Sequence, residues 1–270
     1  MSRLHKPKAG FWLRLCAIVI FPFTTLLYRT KWQHLDRMPA PEQGGVIIAL
    51  NHVSQLDTLL MARMLWSTGR LPRFMIKAGV FSWPGVKYIM RGTKQIPVYR
   101  GTADAAESLR AAVAALEQGE AVVIYPEGTT TKDPANWPMR AKTGVARLVL
   151  LSPDTPVVPV GQWGAHHLRD ASALTKALKT IARRKVVGRV GEPLDLSRYR
   201  GAEPTGETLR EITDVIMSAI RDEVAILRGE PAPTEFFVPT RKYVDRAGSP
   251  NGDRNGDQAV AQPADTETSA

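Results

Sequence analysis

The sequence predicts an α/β fold, a single mixed, mostly parallel sheet flanked by helices. Short β-branched apolar runs alternate with longer stretches of helical periodicity along the chain, and this order is typical of a sheet covered by helices. With 270 residues, of which 44% are hydrophobic and 23% charged, the chain has the composition of a globular protein and the length to bury a large core. Its single cysteine, Cys16, excludes an intramolecular disulfide.

These apolar runs and helical stretches predict the strands and helices along the chain. Predicted strands are the apolar, β-branched segments 46–50, 73–77, 95–100, 121–125, 156–161 and 185–191. Predicted helices are the amphipathic or Ala-rich segments 57–66, 102–119, 141–151, a basic stretch around 172–184, and about 208–228.

The first 39 residues are predicted to form an amphipathic, interfacial helical anchor. Residues 1–37 carry seven Lys and Arg against one acid, around the apolar run 15–28, a pattern typical of a membrane surface. Fourteen helical residues reach only about 21 Å, short of a hydrocarbon core of roughly 30 Å. A signal or spanning segment and a plain buried helix are the alternatives.

The charge distribution bears on partners and on domain limits. A net charge of +10 implies anionic partners. Aromatic residues are not interleaved with the basic ones as nucleic-acid modules require, so we expect an anionic lipid surface rather than nucleic acid. Residues 40–245 form the predicted catalytic domain, and 246–270, nearly without large apolar side chains, form a predicted disordered tail.

Candidate chemistry follows two of the predicted strands. His52 and Asp57 lie five positions apart directly after the strand 46–50, and Pro126 to Thr131 follow the strand 121–125. Active crevices of α/β sheets open at such strand-to-helix junctions. Imidazole has a pKa suited to a general base, and a carboxylate on its other ring nitrogen fixes the tautomer.

Taken together, these segments resemble the glycerolipid acyltransferase family, which includes 1-acylglycerol-3-phosphate acyltransferase. Four motif blocks occur in order, with a further short match at Lys142–Gly144: the N-H-x4-D of Asn51, His52 and Asp57, the segment Gly92–Arg100, the P-E-G-T of Pro126–Thr129, and the apolar strand 155–161. The resemblance implies a glycerol-3-phosphate acyltransferase-like fold. It covers about residues 40–165.

The resemblance also implies site residues and substrates. His52 is the expected base and Asp57 orients it, with no Ser or Cys nucleophile, Ser54 being a polar loop residue. The expected substrate-binding residues are Arg100, Lys77, Glu127, Gly128, Thr129 and Lys132. Expected substrates are a lysophospholipid acceptor and an acyl-CoA or acyl carrier protein donor, with no metal or redox cofactor. The expected location is the cell membrane, peripheral or monotopic, with the site facing the cytoplasm.

One position departs from the family's pattern. The family commonly has arginine and then serine after P-E-G-T, whereas this chain has Thr130 and Thr131, and Lys132 is the first cation. Either Lys132 substitutes for that arginine, or Arg100 and Lys77 hold the phosphate. The resemblance implies 1-acylglycerol-3-phosphate as the acceptor, and the missing arginine leaves glycerol-3-phosphate or another lysolipid as the alternative. A non-catalytic basic membrane-binding protein is a more distant one.

Overall fold

The computed structural model describes residues 9–99, 105–168, 175 and 183–239. Arg100, most of the helix predicted around 172–184 and the predicted tail at 246–270 lie outside these residues. The described residues up to Val238 form one compact unit, and Pro239 belongs to a second one.

A seven-stranded sheet forms the centre of this unit. Its strands are β1 (Tyr28–Gln33), β2 (Val46–Leu50), β3 (Pro72–Lys77), β4 (Ile96–Val98), β5 (Ala121–Ile124), β6 (Val157–Trp163) and β7 (Arg184–Val190). The strand order is β1-β7-β6-β2-β5-β3-β4. Every neighbouring pair is parallel except β6 and β7. The predicted mixed, mostly parallel sheet is confirmed.

Helices cover both faces of the sheet. They are α1 (Phe11–Leu27), α2 (Asp57–Ser67), α3 (Val86–Gly92), α4 (Ala105–Glu117), α5 (Gly144–Leu151) and α6 (Gly206–Arg228). One core lies between the sheet and α2, and the other between the sheet and α4, α5 and α6. All five residues of β2 are buried, because this central strand is covered on both faces.

The sheet begins earlier in the chain than the sequence predicts. Residues 28–33, placed within the predicted anchor, form the edge strand β1, which pairs in parallel with β7. Only Tyr28 in this strand is buried, since an edge strand needs no continuous apolar run. The predicted boundary at residue 39 therefore falls inside the folded sheet domain.

Helix α1 packs on α2 and α3 while part of its apolar surface faces outward. The ring of Phe21 meets Trp66 of α2 edge to face with ring centroids 5.6 Å apart. Phe11, Ile18 and Val19 are nevertheless exposed by 73%, 70% and 63%. Among the helices that the structure describes, none is both long and apolar enough to cross a membrane.

Candidate active site

The candidate site lies where two neighbouring parallel strands end. Strand β2 leads into Asn51 and His52, and β5, which pairs with β2, leads into Tyr125, Pro126 and Glu127. Because the two strands are parallel and adjacent, their carboxyl ends bring these segments together at one edge of the sheet.

His52 and Asp57 form a dyad. Nδ1 of His52 lies 3.0 Å from Oδ2 of Asp57, and the side chains are 12% and 0% exposed respectively. With Asp57 ionised and His52 neutral, the carboxylate only accepts hydrogen bonds, which puts the ring proton on Nδ1 and the lone pair on Nε2. The arrangement leaves Nε2 able to take a proton from a substrate hydroxyl.

The Asp57 carboxylate also holds the loop that carries His52. Its Oδ2 accepts the backbone N–H groups of Val53 at 2.7 Å and Ser54 at 2.8 Å. These residues precede α2, so Asp57 fixes the loop rather than capping the helix. Burial raises the pKa of Asp57, and hydrogen bonds from His52, Ser54 and Val53 oppose that rise. Ser54 is a polar loop residue, as expected, with its Oγ accepting the N–H of Leu56 at 3.2 Å.

The loop after β5 fixes the backbone of His52 on both sides. Glu127 Oε1 accepts the N–H of His52 at 2.8 Å, and the N–H of Thr131 donates to the His52 carbonyl at 2.7 Å. The Tyr125 ring stacks on the imidazole, with centroids 4.2 Å apart and planes 29° apart. The histidine is therefore positioned by its backbone, by its ring face and by Asp57.

Glu127, an expected substrate-binding residue, has both carboxylate oxygens bound to backbone N–H groups. Its side chain is buried, and its second oxygen, Oε2, accepts the N–H of Met139 at 3.1 Å. Burial raises the pKa of Glu127 to about 8, while the hydrogen bonds from His52 and Met139 lower it. Because both oxygens bind backbone donors, Glu127 acts on the site by joining the loops that carry His52 and Met139.

Asn51 joins the dyad loop to β6. Its Nδ2 donates to the Gln162 carbonyl at 3.0 Å, and its Oδ1 accepts the Gln162 N–H at 2.9 Å. The Gln162 side chain in turn donates to the Asn51 carbonyl at 3.2 Å. Sequence reasoning identified Asn51 but missed Gln162, Thr131 and Tyr125, because their contacts join residues far apart in the chain.

The other predicted substrate-binding residues that the structure describes lie at the same edge of the sheet. Lys77 is the exposed last residue of β3, and Lys132, half buried, follows Thr131. Gly128 has φ of +73°, a left-handed conformation that glycine adopts without strain. Thr129 is exposed beside it. Arg100 lies outside the described residues.

Two cavities open on opposite faces of the sheet. The first, about 470 Å³, lies between α1, α2, α3 and β3, and its wall is almost entirely apolar. Thr58, next to Asp57 in sequence, lines it. We call it the apolar cavity.

The second, which we call the polar cavity, measures about 320 Å³ and lies on the face covered by α4 and α5. Tyr125, Gly128, Lys142 and Arg147 line it. Tyr125 therefore contacts both the imidazole and this cavity. No group of three or more His, Cys, Asp or Glu side chains suited to a metal occurs in the described part of the chain.

Comparison with known proteins identifies a family of enzymes that transfer acyl groups. Residues 30–163, about half of the chain, match the family model described as Acyltransferase. The chain belongs to the acyltransferase family, and the resemblance seen in its motifs is confirmed.

Named relatives carry related descriptions. The chain is 29% identical over 170 residues to a chloroplastic 1-acyl-sn-glycerol-3-phosphate acyltransferase of Brassica napus, covering 60% of this chain and 43% of the relative. It is 33% identical over 125 residues to an N-acylphosphatidylethanolamine synthase of Arabidopsis thaliana, covering 44% and 43%. The matches thus span less than half the length of these relatives.

A solved structure supports the fold. The 1-acyl-sn-glycerophosphate acyltransferase of Thermotoga maritima matches with a TM-score of 0.53 at 20% sequence identity, covering 76% of this chain and 77% of that one. At this identity, the match supports the architecture of the sheet and its helices.

Proposed function

We propose that the protein transfers a fatty acyl group from a thioester donor, acyl-CoA or acyl-acyl carrier protein, to the free hydroxyl of 1-acylglycerol-3-phosphate, giving phosphatidate. The observation that carries the proposal is the dyad of His52 and Asp57, with Nε2 unhindered by the Asp57 contact. The relative of Brassica napus, named as a 1-acyl-sn-glycerol-3-phosphate acyltransferase, supports the choice of acceptor.

In the proposed reaction, Nε2 of His52 takes the proton of the acceptor hydroxyl while its oxygen attacks the thioester carbonyl carbon. Asp57, fixed by two backbone N–H groups, stabilises the imidazolium that forms. Collapse of the tetrahedral intermediate breaks the carbon–sulfur bond, and the imidazolium returns its proton to the leaving thiolate. The products are the new ester and the free thiol, and no covalent enzyme intermediate is needed.

The phosphate of the acceptor requires cations beside the dyad. Lys77 ends β3, and Lys132 follows the loop that binds the His52 backbone. We assign phosphate contacts to these lysines and to Arg100, with Gly128 and Thr129 bringing backbone close to the ligand. Glu127 contributes by positioning His52.

The acyl chain and the membrane involve the other face of the sheet. The apolar cavity, which passes the start of α2 at Thr58, suits a fatty acyl chain whose carbonyl lies at His52. The exposed side chains of Phe11, Ile18 and Val19, beside the basic N-terminal segment, suit an interfacial contact with anionic lipid. No metal or redox cofactor takes part in this scheme.

A second acceptor class is favoured by two observations. The chain has Thr130 where the family commonly has arginine, and a relative of similar identity is named as an N-acylphosphatidylethanolamine synthase. Acyl transfer to glycerol-3-phosphate, to another lysolipid or to a lipid amine is therefore the alternative.

A substrate matrix tests the proposal. Purified protein is incubated with acyl-CoA or acyl carrier protein donors against lysophosphatidate, glycerol-3-phosphate, monoacylglycerol, other lysolipids and phosphatidylethanolamine, with products read by mass spectrometry. Lysophosphatidate should be the preferred acceptor, and Arg100→Ala should raise its KM more than it lowers kcat. Equal turnover of monoacylglycerol would exclude a phosphate-binding site, and no turnover of any pair would exclude the activity.

A further inference from the structure

The polar cavity contains two cations to which the proposed reaction gives no role. Lys142 immediately precedes Thr143, the N-cap residue of α5, and Arg147 lies on the first turn of that helix. Both side chains line the cavity. The short Lys142–Gly144 segment matches the family in sequence, but sequence reasoning assigned it no function.

Neither cation is neutralised within the part of the chain that the structure describes. Both side chains are exposed, and neither forms an ion pair with a described residue, whereas Arg73, Arg189 and Arg200 each pair with an acid. Thr143 makes no side-chain capping bond to the first turn of α5. Two such cations at the rim of one cavity make its mouth favourable for an anion.

The rest of the cavity defines the ligand more closely. Val98, Leu109 and Ile124 make much of its wall apolar, so it suits an organic phosphate better than a free ion. Tyr125, which lines the cavity, also stacks on the imidazole of His52 at a centroid distance of 4.2 Å. A phosphate at the rim would therefore belong to a molecule whose remaining part extends towards His52.

One cation assigned to the acceptor phosphate, Lys77, is next to residues that line the same cavity. Lys77 points to the same face of β3 as Met75, because alternate residues of a strand share a face, and it pairs with Val98. Met75 and Val98 both line the polar cavity. By contrast, the loop from Pro126 to Thr131 contributes no cation of its own.

We propose that Lys142 and Arg147 bind the phosphate group of a substrate at the mouth of the polar cavity. The assignment rests on the proposed function for the identity of the ligand. Two sources share this chemistry: the phosphomonoester of the acceptor and the phosphates of the donor's coenzyme A moiety. Each carries an organic part that the apolar wall can hold while the reacting atom reaches His52.

Direct binding to the full-length protein tests the proposal without turnover. Isothermal titration calorimetry is performed with glycerol 3-phosphate and, separately, with coenzyme A. The double variant Lys142→Gln/Arg147→Gln should bind one of them at least about tenfold more weakly, the loss expected from removing charge-assisted hydrogen bonds. The ligand that loses affinity identifies the source, and the KM for acceptor or donor should rise accordingly.

Matched variants control for net charge and folding. Arg110→Gln removes one exposed positive charge from α4 outside the cavity and should leave both affinities unchanged. The charge-retaining pair Lys142→Arg/Arg147→Lys should retain binding, and thermal melting establishes that each variant is folded.

The remaining outcomes separate this site from the proposed activity. His52→Ala should bind both ligands as the wild type does, so a protein without turnover can still show phosphate binding that depends on Lys142 and Arg147. Equal affinities of the wild type and the Gln double variant for both ligands would overturn the phosphate site. The absence of measurable binding of either ligand to the wild type would overturn it as well.

Discussion

The carboxylate of Glu127 accepts the backbone N–H of His52 at 2.8 Å across 75 positions of sequence. This contact joins the loop after β5 to the loop after β2, and the second oxygen of Glu127 extends the connection to Met139. A buried carboxylate thus positions the candidate base through its backbone rather than by touching its ring.

This contact predicts an unusual pH dependence of stability. The pKa of Glu127 rises from 4.5 to about 8 on burial, so the folded state holds more protons than the unfolded state between these values, and the free energy of unfolding falls as pH rises through them. Glu127→Gln lacks this titration but leaves one backbone N–H without an acceptor, at a cost of about 1–3 kcal/mol. The stability gap between the wild type and the variant should therefore be widest near pH 5 and narrow towards pH 8.

Denaturant unfolding at intervals between pH 5 and pH 8.5 measures this gap. Glu117→Gln, at an exposed carboxyl on α4, provides the control for changing a carboxyl group to an amide, and its stability should stay close to that of the wild type. A constant gap for Glu127→Gln would show that its carboxyl group does not titrate in this range.

The sequence predicts those strands whose burial on both faces produces a continuous run of apolar residues. Strands β2, β5 and β6 are apolar runs because both of their faces are covered. Edge strand β1, with the sequence YRTKWQ, pairs with β7. It has no such apolar run, so the sequence did not predict it as a strand. Its pairing with β7, which is distant in the sequence, is set by tertiary structure, and a local sequence pattern does not contain this information.

The same distinction holds within the site. His52 and Asp57 are five residues apart, so a local motif contains both partners of the dyad. The Asn51–Gln162 pair joins residues 111 positions apart, and the His52–Tyr125 stack is also a long-range contact. Glu127 was expected to bind substrate because of its place in the P-E-G-T block, and only the fold reveals that its two oxygens accept the backbone N–H groups of His52 and Met139.

The proposed base gives the most direct kinetic prediction. His52→Ala should lower kcat by about 10²–10⁴-fold, the contribution typical of a positioned general base. The fold should persist, because the contacts to Glu127 and Thr131 use the backbone of residue 52. Turnover is measured at saturating donor and acceptor, with His167→Ala, an exposed histidine, as the control. Turnover at the wild-type rate in His52→Ala would remove His52 from the mechanism.

Substitutions of Asp57 should separate its charge from its structural contacts. Oδ2 alone accepts the contacts from His52, Val53 and Ser54, so the amide oxygen of Asp57→Asn can keep all three while the negative charge is lost. We expect kcat to fall by about 100-fold or more with little change in melting temperature. Asp57→Ala removes the acceptor itself and should also lower stability, by about 1–3 kcal/mol for each buried donor left unpaired.

Kinetics and thermal unfolding of the two variants are compared side by side. Asp154→Asn, at an exposed carboxyl, should match the wild type in both measurements. Equal turnover in Asp57→Asn and the wild type would mean that the charge of Asp57 does not assist proton transfer.

The apolar cavity should set the preference for acyl chain length. Ala62 lines it about one turn along α2 from Thr58, so Ala62→Phe would fill the space that a long chain needs. Each methylene excluded from an apolar site costs about 0.8 kcal/mol. The ratio of kcat/KM for long-chain over short-chain donors should fall, measured over a series of donors. Ala111→Phe on the exposed face of α4 should leave the series unchanged, and an unchanged series for Ala62→Phe would place the acyl chain elsewhere.

The proposed membrane contact by α1 is best tested with substitutions rather than with a deletion. Removing residues 1–31 would take away most of β1, whose pairing with β7 belongs to the sheet, so a loss of binding would be confounded with misfolding. Phe11, Ile18 and Val19 are exposed by 73%, 70% and 63%, and replacing all three with Ser leaves the buried side of α1 in place.

Co-sedimentation with anionic vesicles measures the effect of this triple variant. Each large side chain withdrawn from an apolar environment loses about 1.5–3 kcal/mol, so partitioning should fall by well over tenfold. Ile226→Ser and Val238→Ser change apolar residues that are 56% and 55% exposed away from α1, and these variants should partition as the wild type does. If the triple variant partitions as the wild type does, the exposed face of α1 is not the membrane contact. In that case, either the basic segment that precedes α1 or a different surface makes the membrane contact. High salt would distinguish these two alternatives, because it screens the electrostatic contact of the basic segment.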